Sequence, residues 1–111
     1  MSTASVLEVV AEPTRLRLLE AIRGGEKSVS QLVEALDLPQ PTVSRHLKVL
    51  RDAGLVEARA DAQRRLYRVR VEPFRELDAW LEPYRALWAD RLDGLERHLA
   101  RTAAPTTKGP A

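Results

Sequence analysis

A mainly α-helical fold with one small β-hairpin is the class this 111-residue sequence predicts, and three observations predict it. Residues 28–53 hold two short amphipathic segments joined by a tight Leu-Pro step. Residues 56–71 alternate in the manner of a basic hairpin, and residues 72–100 carry apolar positions at alternating steps of three and four. A short helix, a turn, a second helix and a two-stranded wing make a winged helix-turn-helix, extended here by a long carboxy-terminal helix.

The first segment, SVSQLVEALDL (residues 28–38), offers Ser30 as a cap and sets Leu32, Val33 and Leu36 on one side. The next helix should span residues 40–53. Pro41 falls in a first turn that tolerates proline, Gln40 serves as a weak N-cap, and Gly54 follows as the helix-ending C′ residue. Val43, Leu47 and Leu50 recur at helical spacing and face a core, which leaves Thr42, Ser44, Arg45 and Lys48 on the outer arc. Short hydroxyls beside an arginine and a lysine suit phosphate oxygens and base edges, because arginine grips guanine bidentately and hydroxyls adapt to either partner. A solvated amphipathic helix would look the same in isolation; the helix before it and the wing after it favour a reading helix.

The wing should consist of strands at residues 56–60 and 65–71, turned by Asp61, Ala62 and Gln63. Arg59, Arg64, Arg65, Arg68 and Arg70 load it with positive charge. Edge strands also carry arginine merely to stay soluble and to discourage edge pairing, a reading that weighs more on Arg68 and Arg70 than on the tip residues Arg64 and Arg65.

Beyond the wing, Phe74, Leu77, Leu81, Tyr84, Trp88, Leu92, Leu95 and Leu99 form a heptad-like seam, widened by Trp80 and Leu87. So long a stripe exceeds what one small domain covers. Phe74 and Leu77 are expected to pack on the winged domain. Leu81, Tyr84, Trp88, Leu92, Leu95 and Leu99 are expected to meet a second copy in a homodimer, together with the amino-terminal helix. Pro73 fits the first helical turn, whereas Pro83 should kink or restart the helix. The organisation predicted is residues 1–71 as the winged domain, 72–101 as the dimerisation helix and 102–111, rich in Pro, Thr, Ala and Gly, as a disordered tail without a role.

Charge is unevenly placed behind a net +2. Residues 40–70 hold eight Lys or Arg against three carboxylates, net +5, while residues 71–100 hold four Arg against seven, net −3. The basic segment is therefore where a polyanion would lie, with binding that weakens as salt rises. No apolar run approaches membrane-spanning length and no basic-then-apolar leader opens the chain, so a cytoplasmic location is expected. Zero cysteines fit a reducing compartment and exclude disulfides and thiolate sites. An enzyme is not expected, since there is no glycine-rich phosphate loop, and His46 and His98 lie on different elements without a nucleophile beside them.

The segments AEPTRLRLLEAI (residues 11–22), GEKSVSQLVEALDLPQPTVSRHLKVLRDAGLV (25–56) and RRLYRV (64–69) resemble the ArsR/SmtB winged-helix repressors in order and spacing, over about residues 5–71. The resemblance implies a dimeric transcriptional regulator, usually a repressor, bound to an inverted repeat in double-stranded DNA and released by a signal. Ser44 and Arg45 are then the foremost candidates for base edges, followed by Gln40 and Thr42, while Lys48, His46, Arg64 and Arg65 are candidates for phosphate. Metal-sensing relatives carry a cysteine pair where Ser28 and Ser30 stand here, and serine is a poor ligand for soft metals. Their other site needs histidines and carboxylates on the terminal helix, where this chain has only His98 near Asp90, Asp93 and Glu96. No metal or cofactor is therefore expected, and the effector stays unnamed. Three positions depart from the family pattern: Ala62 in place of a wing glycine, Gln40 as a weak cap, and Pro83 in the terminal helix. The alternative is a winged-helix protein-interaction module whose basic face is incidental.

Overall fold

A computed structural model describes residues 2–103 of the chain. Five helices and three strands run in the order α1 (Thr3–Ala11), α2 (Pro13–Arg23), β1 (Lys27–Ser28), α3 (Val29–Leu36), α4 (Gln40–Asp52), β2 (Val56–Asp61), β3 (Arg64–Val69) and α5 (Val71–Ala103). The chain separates after Leu77 into two compact units.

In the first unit one apolar cluster draws on α1 to α4 and on strands β2 and β3. Leu18 and Ile22 of α2, Leu32 and Leu36 of α3, Val43, Leu47 and Leu50 of α4, and Leu55 and Val56 at the wing root are all buried, each worth about 1.5–3 kcal/mol when fully removed from water. Val33 packs on the edge of this cluster, as do Phe74 and Leu77 at the start of α5. No buried side-chain polar atom among the described residues lacks a hydrogen-bond partner.

Local chemistry explains the boundaries and corrects several of those expected. Ser28, not Ser30, caps α3: its hydroxyl accepts from the Gln31 N–H at 3.2 Å, and the Gln31 side chain accepts from the Ser28 N–H at 2.8 Å. That reciprocal capping box outcompetes a cap two residues later, which could not be answered from its own third position by a Glu or Gln. Gln40 is the first residue of α4 rather than its cap. The N-cap is Pro39, which offers no side-chain acceptor, while its carbonyl receives the Thr42 and Val43 N–H groups at 3.1 Å.

At the far end, Gly54 adopts φ +79°, and the Leu55 N–H reaches the Leu50 carbonyl at 2.9 Å while the Gly54 N–H reaches that of Arg51 at 2.9 Å. This is a Schellman motif closed by Leu50 and Leu55, both fully buried.

The wing differs from expectation in three respects. Asp61 pairs with Arg64, so the loop has two residues instead of three. Strand β3 ends at Val69, and Val71 begins α5. A third strand, β1, too short to show periodicity, pairs antiparallel with β3 to give the order β1-β3-β2. The two-residue loop places Ala62 at φ +57°, the positive value that primed hairpin turns demand at their first position. Holding a non-glycine there costs roughly 1–2 kcal/mol. Ala62→Gly is accordingly expected to raise the unfolding free energy by about 1 kcal/mol after its own entropic cost, read as a higher thermal midpoint; a lower midpoint would contradict the strain.

Helix α5 runs without interruption through Pro83. The restart expected there does not occur, because proline removes one ladder hydrogen bond while the turns on either side keep theirs. Arg85 bonds both Asp78 and Glu82, bracing the helix across the proline, and the two carboxylates raise the arginine's pKa. Thr102 and Ala103 belong to α5; the remainder of the expected tail lies outside the described residues.

Candidate nucleic-acid interface

The helix-turn-helix is formed by α3 and α4. Asp37 ends α3 in the left-handed region at φ 56°, a conformation aspartate tolerates better than most residues. Arg17 of α2 donates to the Leu36 carbonyl at 3.1 Å, binding that end to the body of the domain. With Val43, Leu47 and Leu50 fully buried, the helical phase of α4 is settled. Gln40, Ser44, Arg45 and Lys48 are exposed on the outward arc, and Thr42 is half-buried at its margin.

His46 departs from the group expected to touch phosphate. Its side chain is only 12 % exposed, and Nδ1 lies 3.4 Å from Arg15 Nη1 and 3.9 Å from Glu12 Oε1 at the start of α2. The ring occupies the flank where α4 meets the α1–α2 corner, a consequence of its position one turn before the buried Leu50. The Glu12 carboxyl is held below its ordinary value, chiefly by the Arg15 N–H it accepts and also by His46.

Ion pairing divides the basic residues of 40–70 into two sets. Arg59 forms a two-pronged pair with Glu26 at 2.8 and 2.9 Å, and this guanidinium draws the Glu26 carboxyl below its usual range. Arg68 and Arg70 both reach Glu57, Lys48 binds Asp52 at 2.9 Å, and Arg64 meets Asp61 at 3.3 Å. Arg45, Arg51 and Arg65 are exposed and have no such partner among the described residues. Arg51 was missed in the sequence, although its place three residues beyond Lys48 puts it on the same helical side. Arg64 and Arg65, at the wing tip, line a shallow groove with Gln63 and with Ser28, Val29 and Ser30 at the start of α3.

The hydroxyl of Ser28 is occupied in the capping box, and among the described residues no three His, Cys, Asp or Glu gather at one place.

The second unit consists of the rest of α5. Leu81, Tyr84, Trp88, Leu92, Leu95 and Leu99 are each 41–69 % exposed. Trp80 and Tyr84 stack with ring centres 5.1 Å apart, and Tyr84, Leu87, Trp88, Arg91 and Leu92 line an open apolar groove. No helix among the described residues is long and apolar enough to cross a membrane.

Residues 12–58 match the model of the bacterial regulatory protein arsR family. The biofilm growth-associated repressor of Agrobacterium fabrum is 44 % identical over 66 residues, covering 60 % of this chain and 56 % of that protein. The chain spans about half the length of the first curated relatives it matches. Among solved structures, a possible transcriptional regulator for arsenical resistance superposes with a TM-score of 0.63 at 36 % identity over 92 % of this chain and 96 % of that one. The transcriptional repressor BigR from Xylella fastidiosa gives 0.61 at 32 % identity over 76 % and 84 %. These relatives are transcriptional regulators, not enzymes, and the winged-helix fold expected from the sequence is theirs.

Proposed function

Because the chain belongs to the ArsR family of bacterial regulatory proteins, we propose that it is a homodimeric cytoplasmic repressor that reads an inverted repeat in double-stranded DNA without a cysteine metal site. The observation that carries this reading is the outward side of α4, where Ser44 and Arg45 stand exposed while the opposite side is locked into the core. A two-fold axis would set two copies of α4 in successive major grooves, roughly 34 Å apart. Ser44 and Arg45 reach base edges, with Gln40 and Thr42 at the groove's margin. Lys48, Arg64 and Arg65 meet phosphate, joined by Arg51. Of the wing cations Arg65 is the most available, since Arg59, Arg68 and Arg70 are spent on carboxylates within the fold.

Selecting bound sequences from a random duplex pool yields the half-site and its spacing, and variants then assign the roles. Arg45→Ala should cost about 1–3 kcal/mol on the selected duplex and relax one base position. Arg65→Ala should weaken selected and random duplexes alike and reduce the salt slope by about one. Equal losses on both duplexes for Arg45→Ala would remove it from base reading. Binding to random duplex that is absent or indifferent to salt would favour a protein-interaction module instead.

A further inference from the structure

The His46 side chain on α4 is turned away from solvent, and what it meets is charged. Within 4 Å of its ring, among the described residues, are the Arg15 guanidinium and the Glu12 carboxylate, both from the start of α2. Arg15 is itself held at three points. Its Nε donates to the Val9 carbonyl near the end of α1 at 2.7 Å, Nη1 approaches His46, and its backbone N–H donates to the Glu12 carboxylate at 2.9 Å. From α2, this side chain therefore reaches both the end of α1 and the middle of α4.

We propose that Arg15 and His46 form a positioning pair that sets the placement of α4 against the α1–α2 corner, and that protonation of His46 re-makes this joint and lowers discrimination between operator and random DNA. The inference rests on the DNA-reading role of α4.

Arginine has only donors, so a hydrogen bond between Arg15 and Nδ1 forms only with that nitrogen unprotonated. On protonation of the ring, Nδ1 becomes a donor. The bond to Arg15 is then lost, two cations face one another, and the ring is drawn towards Glu12. Glu12 also accepts the Arg15 N–H as the cap of α2, so a protonated ring competes for the group that starts that helix.

Two kinds of DNA binding respond differently. Random duplex reads charge, to which the new proton adds, whereas a selected duplex reads where Ser44 and Arg45 stand relative to base edges. A shift of α4 is felt only by the second, since direct readout depends on hydrogen-bond geometry at the base edges.

The test measures affinity for the pool-selected duplex and for random duplex from about pH 7.5 down to about pH 5.5. For the wild type, affinity for the selected duplex should fall roughly fivefold, the worth of one hydrogen bond, while random-duplex affinity does not fall. His46→Gln, which keeps a non-titrating acceptor, should retain wild-type selectivity at the upper pH and show no such fall. Arg15→Met should be poorly selective at every pH. A parallel fall on both duplexes, or a fall that persists in His46→Gln, would overturn the proposal.

A measurement without DNA separates this inference from the reading it rests on. The backbone amide resonances of Val43–Leu50 should move together with the His46 ring as pH is lowered in the wild type, and not in His46→Gln. Unmoved amides overturn the positioning pair even if operator binding is sound. Moving amides in a protein that binds no duplex would support the pair and count against the DNA-reading role alone.

Discussion

Trp88→Asp should dissociate the proposed dimer by roughly a thousandfold or more. Trp88 is 69 % exposed in the middle of the α5 stripe and lines an apolar groove with Tyr84, Leu87, Arg91 and Leu92. Tryptophan is among the residues that dominate interface energies, and truncating such an anchor typically costs 2 kcal/mol or more. In a two-fold interface each substitution acts twice, so about 4 kcal/mol or more is lost, and every ~1.4 kcal/mol is a factor of ten. The exposure that makes the residue available to a partner also spares the fold, and helical content should be unchanged. DNA binding should suffer more than the dissociation constant alone implies, because separated chains forfeit the gain from engaging two half-sites at once. Sedimentation equilibrium and titration of the selected duplex measure both effects. A wild-type protein that sediments as a monomer, or a Trp88→Asp protein that stays dimeric and binds normally, would refute the assignment of this stripe.

The second large effect lies in the core. Leu50 is fully buried, and it does two things there: it packs among the helices, and it closes the Schellman motif against Leu55 with its carbonyl accepting the Leu55 N–H. Leu50→Ala removes three carbons and leaves a cavity where α4 passes into the wing. Such truncations cost about 2–5 kcal/mol, against a total stability of about 5–15 kcal/mol for a domain. Denaturant unfolding should show the midpoint falling by a large fraction, with recognition helix and wing losing structure together. Leu16→Ala, at a leucine 42 % exposed on α2, is the comparison and should change the midpoint little. Similar losses for the two would mean that burial does not govern stability here.

The fold was legible wherever burial imposes a period. Val43, Leu47 and Leu50, spaced four and three apart, orient α4 from the sequence alone, and with it the exposure of Ser44 and Arg45. Gly54 announced the end of that helix because few other residues adopt its positive φ. Ala62 likewise stood out as an alanine in a position suited to glycine. Boundaries were less legible. The sequence offers Ser30 as the cap of α3 when Ser28 holds it, since two serines compete and the partner Gln31 decides between them. Strand β1 has two residues, too few for any alternation to register.

The chain by itself thus determined its family, the helix-turn-helix followed by a wing and a long helix, and the helix that presents a polar outer side, because local propensity and apolar spacing are written in neighbouring residues. Tertiary structure alone decided which charges remain available. The pairing of Arg59 with Glu26, 33 residues away, the sharing of Glu57 by Arg68 and Arg70, and the turning of His46 onto Arg15 and Glu12 depend on contacts between elements. These partners lie on different elements, so their separation along the sequence carries no information about which will meet.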